Sequence, residues 1–124
     1  MIREDYVSFE TAKLLKEKGF DECTICSFDK DGNPKDILRP FIESDGDVRK
    51  PTLQMAMSWL RELKRCIIVI IPKWFTPYGC AKYAYSIWAD DNLEIDGETN
   101  KDTEYDTYEE TCETAIKYCL ENLI

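Results

Sequence analysis

The 124-residue chain has no histidine, only five glycines and five prolines, and fewer basic than acidic side chains. Without histidine it lacks the commonest general base and the commonest neutral metal ligand. It also has no G-x-S-x-G nucleophile elbow and no glycine-rich phosphate loop, so the familiar routes to acyl or phosphoryl transfer are missing. No apolar run approaches the 18 or more residues that a membrane-spanning helix needs. The opening MIREDYVSFE has neither the basic start nor the apolar core of a secretory signal, and a cytoplasmic location is expected.

Charge and thiols are plentiful. Sixteen Lys plus Arg face 25 Asp plus Glu, and a net charge of -9 argues against binding to phosphate backbones. The imbalance is local: residues 1–89 carry net +1, whereas residues 90–124 carry net -10. Six cysteines fall on expected strand and helix positions, and in a reducing compartment they read as free thiols packed as small hydrophobes. A length of 124 residues suits a single domain with one core, needing no metal or disulfide staple.

Local patterns set the element order. Ser8 reads as an N-cap, Phe9, Ala12 and Leu15 follow at helical spacing, and Gly19 with Phe20 completes a Schellman ending, so a helix is expected over 9–18. Residues 22–28 are rich in β-branched and aromatic side chains. The turn-forming DKDGNP follows, giving a hairpin with a return strand near 37–42, where Pro40 marks an edge or a break. Residues 43–50 read as loop. Pro51 or Thr52 opens a second helix with Leu53, Ala56, Met57, Leu60 and Leu63 on one stripe and Met55 and Trp59 beside it. The run IIVII at 67–71 reads as a central strand covered on both faces. A wide loop over 72–79 follows, then a strand over 80–89 that alternates Ala81, Tyr83, Tyr85 and Ile87 against Lys82, Ala84, Ser86 and Trp88. Residues 90–106 read as an exposed acidic loop. Thr107 and Glu110 have capping-box spacing and open a third helix with Tyr108, Cys112, Ala115, Ile116, Cys119 and Leu123 on one stripe. The expected fold is α+β, in the order α-β-β-α-β-β-α, with an antiparallel sheet from two hairpins packed against three helices, as one domain over 1–124.

The stretches YVSFETAKLLKEKGFD (6–21), PTLQMAMSWLREL (51–63) and YEETCETAIKYCLENLI (108–124) resemble a family of short proteins from phages, prophages and other mobile elements of gut Bacteroides. The resemblance covers over a third of the chain, in its helical parts. It implies a mobile-element setting inside a bacterium and carries no catalytic residue across.

Several constellations invite chemistry. Cys23 and Cys26 form a Cys-x-x-Cys pair, but on a strand positions three apart point to opposite faces, and no second pair completes a zinc site unless Cys66 and Cys80 meet across the second hairpin. Residues 92–97 imitate the start of a calcium loop, yet its twelfth position is Thr103 and no helices flank it. Lys82 with Tyr83 and Tyr85 reads as alternating strand residues on two faces. More specific are Trp74, Phe75 and Tyr78, large aromatics expected in a loop and favoured as interface anchors. The acidic residues Asp90, Asp91, Glu94 and Asp96 offer a second contact surface, imitating nucleic-acid charge or keeping the protein soluble.

The expectation is therefore a non-enzymatic protein-interaction or accessory protein that modulates a host factor. Its partner would be another protein, with a homodimer among the possibilities, and no cofactor, metal, nucleic acid or membrane is expected. The alternative is a small enzyme or metal-binding module whose site is assembled only in the fold.

Overall fold

The computed structural model describes residues 5–22, 26–36, 47–89, 93–96 and 104–124. Among the described residues, three α-helices and six strands follow in the order α1 (Phe9–Glu17), β1 (Cys26–Phe28), β2 (Pro34–Asp36), β3 (Val48–Lys50), α2 (Leu53–Leu63), β4 (Ile67–Thr76), β5 (Gly79–Ala89), β6 (Leu93–Asp96) and α3 (Tyr108–Tyr118). The α+β class and the order of helices and hairpins match the sequence. Each hairpin gains a third strand, and the strands form two antiparallel sheets, β2-β1-β3 and β4-β5-β6. All of β3 and all of β6 come from segments that read as loop.

Helix boundaries follow local capping chemistry. The Ser8 hydroxyl accepts from the Thr11 backbone N–H at 3.2 Å. At the other end Gly19 adopts φ 96, so that the Phe20 N–H reaches the Leu15 carbonyl and the Gly19 N–H the Lys16 carbonyl, the paired bonds of a Schellman motif. Thr52 and Thr107 cap α2 and α3 in the same way, accepting from the N–H groups of Met55 and Glu110. After Tyr118 the last helix widens into a π-helical turn over Cys119–Leu123, which brings both Cys119 and Leu120 into the core.

One buried cluster joins all these parts. Val7, Leu15 and Phe20 from α1 and its flanks meet Phe28 and Val48 from the first sheet, Ala56, Trp59 and Leu60 from α2, Tyr85 and Ile87 from β5, and Cys112, Ala115, Ile116 and Leu120 at the C-terminal end. Phe20 meets the edge of Trp59 with ring centroids 5.4 Å apart, and Phe9 meets Phe28 at the same separation. The N-terminal strip is tied in twice. Backbone bonds run from Val7 to Pro51 and from Leu53 to Asp5, and Glu113 of α3 accepts from the Ser8 N–H and from the Ser8 and Thr11 hydroxyls.

The first hairpin turns through five residues, 29–33, and not through a two-residue Asp-Gly turn. The Asp29 carboxylate accepts from the N–H groups of Asp31 and Asn33, and Gly32 at φ 88 lies against the Phe9 ring, where a Cβ would come within 2.8 Å. The return strand accordingly starts at Pro34, earlier than the pattern at 37–42 suggested. Those residues, with Pro40, lie outside the described part of the chain.

Candidate protein-contact surface

The long hairpin β4–β5 departs most from expectation. Ile67 to Ile71 is not a central strand covered on both faces: β4 stands at the end of its sheet and, among the described residues, is paired on one side only. Burial alternates accordingly. Ile68 and Ile70 pack against the helical core, while Ile67 is 45 % and Val69 42 % exposed on the other face. The continuous apolar run disguises an ordinary two-faced antiparallel strand whose outer face is also apolar.

Antiparallel pairing extends that outer face onto β5. Ile67 is opposite Trp88, Val69 opposite Ser86 and Ile71 opposite Ala84. Trp88 is 42 % exposed, whereas Ala84 and Ser86 are small enough to be covered by their neighbours. The opposite face carries Tyr83, Tyr85 and Ile87 towards α3, with Tyr83 edge-on to Tyr108 at 6.1 Å. From Tyr83 to Trp88 the two sets read from the sequence of β5 lie on opposite faces of the sheet.

Beyond Ile71 the hairpin leaves the core. The expected wide loop over 72–79 is instead strand as far as Thr76, closed by a tight turn at Pro77 and Tyr78, with Thr76 opposite Gly79. Pro72 is tolerated because β4 is an edge strand, and register shifts on either side of Trp74 make the ladder irregular there. Tyr78 stands at the tip with 99 % of its surface exposed. Trp74 and Phe75 lie on β4 opposite Lys82 and Cys80, with their side chains outside the described set. The three expected aromatic anchors thus share one hairpin arm, though two sit on a strand and not in a loop.

The acidic segment divides. Asp90 and Asp91 lie outside the described residues. Glu94 and Asp96 belong to β6, opposite Trp88 and Ser86, so Leu93–Asp96 is paired strand and not loop. Tyr105 forms a two-bond bridge with Tyr83, and the next residue, Asp106, pairs with the Lys82 ammonium. That hydrogen bond and charge raise the Lys82 pKa.

Two grooves border the α2 side. One, of about 420 Å³, is lined by Glu22, Met55, Ser58, Trp59, Glu62 and Leu63. The other, of about 180 Å³, lies beside β4 between Gln54, Met57, Arg61, Ile67, Ile68, Ile70 and Tyr108. Leu63, expected in the core stripe, is 60 % exposed, and Met55 is exposed with it. Among the described residues, neither groove brings a nucleophile, a base and an oxyanion donor together.

Among the described residues no group of three or more His, Cys, Asp or Glu is placed to hold a metal ion. Cys66 and Cys80 do not meet: Cys66 precedes Ile67, opposite Trp88, and Cys80 lies near the hairpin tip opposite Phe75. Cys23 lies outside the described residues. Cys66 instead hydrogen-bonds with Cys119, both buried, and burial raises the Cys119 thiol well above its ordinary value. Such thiols are protonated packing groups. The local sequence pattern around Cys66 does not report this pairing; Arg65, just before it, takes a left-handed φ of 57.

No helix among the described residues is long and apolar enough to cross a membrane. A scan against protein-family models and searches of curated proteins and of solved structures return no match. The fold and surface therefore define an α+β chain with an apolar strand edge, and the functional reading rests on that edge.

Proposed function

We propose that this chain acts by protein contact, as an accessory protein working in the bacterial cytoplasm in a phage or mobile-element setting, and that the β4–β5 hairpin is its contact surface. The exposed apolar face formed by Ile67 and Val69 on the end strand β4 and Trp88 on the adjoining β5 carries this reading. Proteins normally protect such an edge with charge, proline or a covering element, because it templates pairing with another chain. Tyr78 extends the surface to the hairpin tip, with Trp74 and Phe75 in the same arm. The acidic segment is the weaker candidate, since Asp106 is engaged with Lys82 and charge alone specifies no partner.

Affinity capture from a Bacteroides host tests the proposal, using the wild-type chain beside Trp88→Ala and Tyr78→Ala. The expected result is a stoichiometric partner held by the wild type and lost or reduced about tenfold by Trp88→Ala, with thermal unfolding close to wild type. Removing one aromatic anchor typically costs 1 kcal/mol or more of binding, roughly this change. If every captured protein binds both variants as it binds the wild type, the hairpin is not the contact surface.

A further inference from the structure

The edge of β4 has a property that selects among possible occupants. Residues 67–71 read Ile-Ile-Val-Ile-Ile, which is the same in both directions about Val69. An antiparallel strand pair related by a two-fold axis places residue i opposite its mirror position, so a two-fold at Val69 sets Val69 against itself, Ile68 against Ile70 and Ile67 against Ile71. All five opposed pairs are β-branched and apolar, the combination that favours cross-strand packing. We infer that β4 pairs edge to edge with β4 of a second copy of this chain, making one continuous six-stranded sheet across the dimer. The inference rests on the reading of this hairpin as a contact surface and names its occupant.

Register and ends agree with this pairing. Moving the two-fold to Ile70 brings Pro72 and Lys73 into the ladder, introducing a residue without an N–H and a charge opposite isoleucine. Centring on Val69 keeps both outside. At one end of the run the ladder becomes irregular after Pro72, and at the other Arg65 turns the chain with its left-handed backbone, so Arg65 and Lys73 do not meet as like charges within the pairing. Between these stops no charge, proline or bulge blunts the edge, although natural edges usually carry one. The groove beside β4 leaves room for side chains of the added strand, which would meet Met57, Ile68 and Ile70 together with the polar ends of Gln54, Arg61 and Tyr108. A two-fold makes that interface isologous, so each copy completes the other and both β4 edges are used within one closed dimer.

Five residue pairs make an interface at the small end of the specific range, so the dimer is expected to dissociate at micromolar concentration, about 1–100 µM. The test is sedimentation velocity of the intact chain over about 1–300 µM, a range that brackets this value. Wild type should pass from monomer to dimer. Val69→Lys, which sets two ammonium groups together on the axis, should stay monomeric throughout, while its circular dichroism and thermal unfolding stay close to wild type. Val69→Cys should form an interchain disulfide under mild oxidation, because opposed Cα atoms lie at about 4.5–5.5 Å, within disulfide reach. Lys13→Cys on the outside of α1 should not. A wild type that stays monomeric, a dimer that survives Val69→Lys, or equal cross-linking of the two cysteine variants would each overturn the inference. If wild type is monomeric but loses a captured partner on Trp88→Ala, the second copy is the wrong occupant and the contact reading stands. If no partner depends on the hairpin either, both fail.

Discussion

Leu60 and Leu63 show how one stripe of a helix can have two fates. Leu60 is fully buried among Trp59, Ile116 and their neighbours, whereas Leu63, in the last turn of α2, lines an open groove. Leu60→Ala should therefore cost about 2–5 kcal/mol, the lost transfer energy plus a cavity, while Leu63→Ala should stay within about 0.5 kcal/mol. Urea unfolding of the two variants beside wild type measures this directly, and equal costs would mean that Leu63 is covered. The periodicity of α2 put both residues on the core face, because angle around a helix is readable from spacing. How far along the helix the cover extends is not. The same limit hid Cys66 and Cys119: nothing in their local patterns reports that a left-handed residue and a π-helical turn bring the two thiols together. Ser8, Thr11 and Glu113 are similar, since the cap on Thr11 is local and legible while the three bonds to Glu113 come from a helix about 100 residues away.

Helices were legible because their ends are written in single residues. Gly19 is the clearest, with φ 96 and nothing within 4 Å of where a Cβ would stand. Gly19→Ala should thus meet no steric clash and cost only the left-handed strain, about 1–2 kcal/mol, seen as a lowered urea midpoint at unchanged slope. Gly32→Ala should cost more, because its Cβ must also displace the Phe9 ring. If Gly19→Ala is neutral, the Schellman ending is not holding the end of α1. Strands were harder. β3 and β6 are three and four residues long, too short for alternation to show, and each is defined by its ladder to a neighbouring strand, β1 or β5. β4 misled in the other direction. An apolar run normally marks a strand buried on both faces, and the run at 67–71 instead marks an edge whose outer face is left apolar. Of the candidate contact residues, the sequence therefore identified the aromatics of the arm and passed over Ile67, Val69 and Trp88. Their significance depends on which strand ends the sheet.

At the scale of the molecule, the buried face of the second sheet is unusually rich in groups that ionise at alkaline pH. Tyr85 is buried beside Tyr105, with ring centroids 6.0 Å apart, and burial pushes its pKa from 10.0 up to about 12. Desolvation also raises Tyr105 and Tyr108, and it lifts the Cys112 thiol from 9.0 to about 11. Every one of these shifts favours the neutral form in the folded chain, so the unfolded chain gives up its protons first. The stability these groups contribute is fully present below about pH 9 and drains away as pH climbs from the unfolded value of Cys112 through the folded value of Tyr85. The exposed Lys82–Asp106 pair has the same sign, because Asp106 holds the ammonium form. Thermal unfolding should accordingly change little across neutral pH and fall steeply between about pH 9 and 12, with phenolate absorbance rising together with loss of helix. Tyr85→Phe separates the contributions: its hydroxyl no longer titrates, so the upper part of that fall should flatten relative to wild type even if the variant starts less stable through losing the bond to Tyr105. A melting temperature that stays level to pH 11, or a Tyr85→Phe profile parallel to wild type, would show that these side chains meet solvent in the native state. That would loosen the packing of α3 on the sheet, which keeps Ile68 and Ile70 of β4 against the core and leaves Ile67 and Val69 exposed on the other face.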